Sequence, residues 1–166
     1  MFRRVWTLLL PCILFFSGCA APKYVYRYVP GKTATLSEGY ATAPPAAPPQ
    51  VQMAVAAANR IAGSAYERGG GHGSGDSANY DCSGATSFVL RSAGLLDGSM
   101  PSSGFRRYGR AGEGEWISVW ARNGHVFLVI AGLRFDTGWT GQPEGVKWTT
   151  RSRPARGHVI RHPANL

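Results

Sequence analysis

The chain has 166 residues, with 18 Lys and Arg against 9 Asp and Glu, a formal charge of +9 and three cysteines. That length suits one domain of ordinary size with some additional sequence, and it excludes two full domains. The cationic balance favours anionic partners such as wall polymers or lipid head groups. The cations at Arg106, Arg107, Arg110, Arg151, Arg153, Arg156 and Arg161 are scattered, however, and spell no nucleic-acid motif.

The chain opens Met1-Phe2-Arg3-Arg4, runs apolar from Val5 to Phe16 and reaches Ser17-Gly18-Cys19-Ala20. These are the basic, apolar and small-residue sections of an export signal over residues 1–18. Pro11 and the shortness of the run exclude a spanning helix, which needs about 20 apolar residues. Phe16-Ser17-Gly18-Cys19 resembles a bacterial lipobox. The resemblance implies that Cys19 is acylated as the new N-terminus, and Ala20 behind it implies the periplasmic face of an outer membrane. Cys12 would leave with the signal and Cys19 would carry lipid, so Cys82 remains without a partner. Exported proteins usually pair their cysteines or omit them, and a lone thiol points to catalysis.

Residues 19–50 carry alternating Tyr24, Tyr26 and Tyr28 and then Pro44-Pro45-Ala46-Ala47-Pro48-Pro49. Proline extends such a segment, and few aliphatic side chains are available for a core. The composition predicts a tether with a reach on the order of 80 to 100 Å. Pairing of the tyrosine run as a strand on the domain is the alternative.

A folded domain is expected over 51–166. Val51, Ala54, Ala58, Ile61, Ala62 and Ala65 share a face at helical spacing, which predicts a first helix ending before Gly69-Gly70-Gly71-His72-Gly73. That loop either lets a ligand approach the backbone or is a plain connector, and it lacks the Lys-Ser/Thr of a phosphate loop. Asp81 is a good N-cap, and Ala85, Phe88, Val89, Ala93 and Leu96 recur at three- and four-residue steps, predicting a second helix that begins at or beside Cys82. Ser99 to Gly114 reads as loop with a possible helical turn.

Beyond it, Glu115–Trp120, His125–Ile130 and Leu133–Asp136 are β runs separated by Asn123-Gly124 and Ala131-Gly132. Val126 to Ile130 is apolar at every position, so this strand should be central and covered on both faces. Lys147–Thr149 and His158–Arg161 supply further strands. The whole is an α+β chain with N-terminal helices packed on an antiparallel sheet.

A thiol at a helix N-terminus meets unpaired N–H groups and the positive dipole end, which favour thiolate and can hold an oxyanion. Its plainer reading is a small buried core residue. A thiolate nucleophile needs an imidazole and a group to orient it. His125, opening the central strand, is the candidate base, and its plainer reading is a strand-end histidine. If the turn at Ala131-Gly132 holds two residues, Phe127 lies opposite Asp136, and His125 and Asp136 share a face as diagonal neighbours. Asp136 is the expected orienter, with His158 and His162 as rivals. The histidines and Cys82 show no zinc-type spacing, and neither metal nor cofactor is expected.

Asp81-Cys82-Ser83-Gly84, preceded by Tyr66 and Gly69-Gly70 and followed by Gly124-His125-Val126, resembles the NlpC-type cell-wall peptidases of the papain-like superfamily. The resemblance covers residue 51 to about residue 137. It implies a papain-like fold with Cys82 as nucleophile, His125 as base and acid, and Asp136 in the third position. Tyr66, Asp81 and Ser83 would line the substrate end, although Tyr66 also reads as a core aromatic and Asp81 as a cap. The implied substrate is a peptidoglycan stem peptide, cut commonly between D-γ-glutamyl and a diamino acid. Arg68 stands where the family tends to have an aromatic residue, and Pro-Gly-Asp ahead of the central strand is missing. These departures fall on the substrate subsite. Two other readings stand beside this one: a non-catalytic wall-binding or scaffold lipoprotein, and amidase or transpeptidase chemistry on the same framework.

Overall fold

The structure, a computed structural model, describes residues 21–138 and 144–166. The expected signal at 1–18 and Cys19 lie outside the described residues. In chain order the elements begin with β1 (Lys23–Tyr24), β2 (Thr35–Ser37), β3 (Tyr40–Thr42), α1 (Pro49–Ile61), β4 (Ala65–Tyr66), β5 (Asn79–Tyr80) and α2 (Cys82–Ser92). They continue with α3 (Ser102–Phe105), β6 (Arg110–Ala111), β7 (Ile117–Arg122), β8 (His125–Ile130), β9 (Leu133–Asp136), β10 (Lys147–Thr149), β11 (Arg153–Pro154) and β12 (Val159–His162). Helices followed by an antiparallel sheet make the chain α+β, as its pattern predicts.

Pro49 opens α1, where a missing N–H costs nothing, and Val51, Ala54, Val55, Ala57, Ala58 and Ile61 are buried. The alanines let α1 lie close against α2. The helix stops at Ile61 rather than running on through Ala65: Ala62 turns extended, Gly63 takes φ 89°, and Ala65-Tyr66 pairs in parallel with Asn79-Tyr80. A two-strand ladder thus claims the residues that would have made another helical turn.

Six strands form one sheet in the order β10-β9-β8-β7-β12-β6, every pair antiparallel. The β7–β8 register runs from Ile117 opposite Ile130 to Arg122 opposite His125, so Asn123-Gly124 is a two-residue turn. The β8–β9 register pairs Ile130 with Leu133 and Leu128 with Phe135 around a two-residue turn at Ala131-Gly132. Both turn residues take positive φ, 44° and 77°, which matches the twist of the flanking strands and explains the glycine. Carried one step further, the register sets Asp136 opposite Phe127, as the parity argument requires.

Strand β8 is central and covered on both faces. Val126, Leu128 and Ile130 face the helices within a core that includes Val51, Ala58, Phe88, Val89 and Leu90. Phe127, stacked on Trp120 at 5.5 Å, faces the other way and packs with Tyr24 and Ala155.

That second cover corrects the expected tether and follows its alternative, in which the tyrosine run pairs as a strand on the domain. Over its described residues, 21–50 belongs to the folded unit. Lys23-Tyr24 pairs with Arg153-Pro154, the Ala155 N–H donates to Pro22 O, and the Ala34 N–H donates to Ala131 O. Tyr24 is 4 % exposed; its hydroxyl donates to Gly132 O and accepts from the Arg134 N–H. The β2–β3 hairpin lies on α1, where the Asn59 side-chain amide both donates to and accepts from the Ala41 backbone. Composition favours a tether because a strap borrows its core from the sheet it crosses and needs few apolar residues of its own; only the alternating tyrosines signal the pairing.

Candidate active site

Cys82 is the first residue of α2 and is half-buried, with a free thiol. Asp81 caps the helix through Gly84 N–H at 2.7 Å and also accepts from the Ser83 hydroxyl at 2.9 Å and Gly69 N–H at 3.0 Å. His72 Nε2 lies 3.1 Å from the same carboxylate. Burial opposes ionisation of Asp81, but the Gly84 N–H, the Ser83 hydroxyl, the Gly69 N–H and His72 together hold its carboxyl below the usual carboxylate range. Cap and glycine loop are therefore one unit. Gly84 has no room for a Cβ, which would overlap the carbonyl of Gly70, and a Cβ at Gly70 would lie 2.6 Å from Asn79 O. Gly70 and Gly84 serve close contact between loop and helix, which neither the ligand-approach nor the plain-connector reading anticipated.

The thiol does not follow the expectation from the helix N-terminus. Burial pushes the Cys82 thiol up; backbone N–H groups of Val126 and Ser83 pull it down, while Asp81 and Asp136 add to the rise. A helix end favours thiolate only to the extent that solvent and neighbouring charge permit it, and here desolvation prevails. The Val126 contact nevertheless brings the sulfur to the end of β8 where His125 stands.

His125 Nε2 is 3.0 Å from Asp136 Oδ1. A carboxylate only accepts, so Nε2 carries the proton, and in the neutral ring Nδ1 keeps its lone pair. No hydrogen bond joins the Cys82 thiol to His125 among the described residues. Asp136 is 4 % exposed and holds further donors: Thr137 N–H on Oδ1 at 2.8 Å, with Arg134 Nη1 at 2.8 Å and Arg153 Nη1 at 2.7 Å on Oδ2. Two guanidiniums on one carboxylate leave no net negative charge beside the imidazole.

Of the rivals for orienting His125, Asp136 makes the hydrogen bond. His158 lies with its ring 6.2 Å from that of His125 and edge-on to it; it is buried, and neither ring nitrogen has a partner among the described residues. Burial first, then His125, Arg153 and Arg122, depress its pKa to about 4. His162 bonds Gly112 O at the far side of the sheet. Tyr66 is half-buried, and its hydroxyl is raised by burial and then by Cys82 and Asp81, which places it near the thiol. Asp81 and Ser83 are buried and bonded to each other and to the loop, not turned outward.

Three site residues escape sequence reading. Arg134 had a signal, since Arg134-Phe135-Asp136 sets a cation and an anion two apart on one strand face. Arg153 and His72 had none, because each arrives from a different segment. Among the described residues, no group of three His, Cys, Asp or Glu side chains could hold a metal ion.

Fold and site together define an α+β protein with a helix-N-terminal thiol, the one free cysteine among the described residues, and an imidazole–carboxylate pair at the end of its central strand. No protein-family model matches the sequence, and a search of curated proteins finds no match.

Proposed function

We propose that the chain is a lipid-anchored cysteine endopeptidase of the bacterial cell envelope, of NlpC type and papain-like architecture. Its substrate is the peptidoglycan stem peptide, at the amide between D-γ-glutamyl and a diamino acid. The observation that carries this reading is the His125–Asp136 hydrogen bond, at the strand end next to Val126, whose backbone N–H helps to lower the Cys82 thiol.

In this reading His125 Nδ1 takes the Cys82 proton as the sulfur attacks the carbonyl carbon. The N–H groups at the start of α2 hold the oxyanion. The imidazolium then gives its proton to the leaving amine, a thioester remains, and water activated by His125 releases the acid. Because burial keeps the thiol protonated, proton transfer accompanies attack and no standing thiolate is needed. Asp136 fixes the imidazole tautomer, and Arg134 and Arg153 hold Asp136. The membrane anchor at Cys19 and the periplasmic location belong to the same proposal.

A non-catalytic wall-binding lipoprotein is the second reading, favoured by the raised thiol and its lack of a hydrogen bond to His125. Muropeptide mass analysis separates the two. Wild type should release products with a new stem-peptide terminus and Cys82→Ala should release none; unchanged muropeptides with both proteins, alongside retained binding to sacculi, would establish the second reading. Amidase or transpeptidase chemistry would leave different product masses.

A further inference from the structure

Among the described residues the large apolar side chains left exposed are Val25, Tyr28, Val29, Tyr40 and Met53, and three of these five fall within 25–29. Exposed Lys23, Arg27 and Lys32 flank them, and no acidic residue occurs before Glu38. The segment cannot turn this face inward. Tyr24 points into the sheet, Tyr26 donates to Ala34 O, and Thr33 Oγ accepts from Val29 N–H and donates to Arg27 O. Lys23, Val25, Arg27 and Val29 therefore project together by alternation, with exposed Tyr28 and Lys32 beside them.

A mixed aromatic, aliphatic and cationic face suits the interfacial zone of an anionic bilayer, where tyrosine sits at head-group depth and Lys and Arg meet phosphate. Between strap and sheet lies a cavity of about 370 Å³, lined by Lys23, Val25, Arg27, Glu113, Ser118 and Trp120 among others. Lys23 and Arg27 outnumber Glu113 there, which leaves the lining net cationic, as a phosphodiester requires. Position agrees with chemistry: the Pro22 carbonyl is already bonded to Ala155, and three residue steps from Cys19 reach at most about 11 Å.

We propose that the strap face, centred on Lys23, Val25, Arg27, Tyr28, Val29 and Lys32, is a seat on an anionic phospholipid surface. It sets the acylated protein at a fixed height instead of letting it swing on a tether. The seat adjoins the Ala131-Gly132 turn, at the Ile130 end of β8, whereas His125 opens that strand five steps away, roughly 17 Å at strand spacing. This inference rests on acylation at Cys19 and is independent of the chemistry at Cys82.

The test uses the full-length acylated protein in a Cys82→Ala background, reconstituted in vesicles of phosphatidylethanolamine and phosphatidylglycerol. A fluorophore is placed on Tyr28→Cys or, as the control, on Met53→Cys, with head-group-labelled quencher lipids. Quenching is expected at position 28 and not at 53. It should be lost in the Lys23→Glu, Arg27→Glu, Lys32→Glu variant, since three surface cations are worth on the order of a hundredfold in partition. Equal quenching at both positions, or quenching at 28 that survives charge reversal, overturns the seat. A charge-reversed variant that loses sacculus binding while keeping vesicle quenching assigns the cations to the wall polymer and also overturns it. Mass spectrometry of Cys19 reads the premise separately: a missing acyl chain overturns the anchoring on which the seat depends.

Discussion

Replacing His158 with phenylalanine isolates one term in the acid stability of the fold. The ring is buried against Phe127 and His125, neither nitrogen has a partner among the described residues, and burial followed by nearby His125, Arg153 and Arg122 lowers the pKa from 6.5 to about 4. A histidine depressed in the native state leaves stability intact above its unfolded pKa. As pH falls through that value the unfolded chain gains a proton that the folded chain refuses, and stability is lost until the folded pKa is reached. Between about pH 7 and about pH 4.5 the loss from this group is about 2.5 kcal/mol, at roughly 1.4 kcal/mol per pH unit over most of that window. Ordinary carboxylates titrate lower and contribute little there, and what they contribute cancels between proteins. Urea unfolding of both proteins at the two pH values measures the difference. His158→Phe should match or exceed wild type near neutrality, because it removes unpaired nitrogens and no side-chain hydrogen bond. It should also lose about 2.5 kcal/mol less on acidification. If variant and wild type lose the same stability, His158 is not held neutral by the fold and the reasoning fails.

Three further substitutions probe other contacts. Gly84→Ala should destabilise by about 1–3 kcal/mol despite alanine's better helix propensity, since its Cβ meets Gly70 backbone that cannot swing aside; a thermal melt equal to wild type would refute the contact. Tyr24→Phe should cost about 1–3 kcal/mol, because it strands the Arg134 N–H and Gly132 O. No change in denaturant midpoint would mean that the strap is a tether after all. Asp136→Asn should cost about 3–5 kcal/mol by leaving two buried guanidiniums without their counter-charge, so its activity must be read at a temperature where circular dichroism shows the fold intact. A variant as stable as wild type would exclude the buried pairs.

Local rules made much of the site readable. Asp81 as a cap and the three- and four-residue steps after it fix where α2 begins, and hence that Cys82 opens it. Two-residue turns set strand parity, and parity alone brings His125 and Asp136 to one face. Such features depend on a few neighbouring residues and on backbone geometry that every chain obeys. The overlong first helix shows where this fails: Ala62 and Ala65 satisfy the helical period, but a partner strand at Asn79-Tyr80 outbids them.

The partners supplied by distant segments lay beyond that reading, even where the pairing of a run such as Tyr24 to Tyr28 was one of its alternatives. Tyr24 joins a sheet strand 110 positions away through Arg134, Arg153 comes across 17 positions to Asp136, and His72 reaches back from the loop to the cap. The same holds for the acidity of Cys82, where the helix end visible in the sequence is outweighed by burial that only packing creates. By itself the sequence determined which groups stand at the ends of which elements, because turns, caps and side-chain alternation act over a few residues. The tertiary structure decided what surrounds those groups, and with it their charge, because desolvation depends on segments that no local period connects.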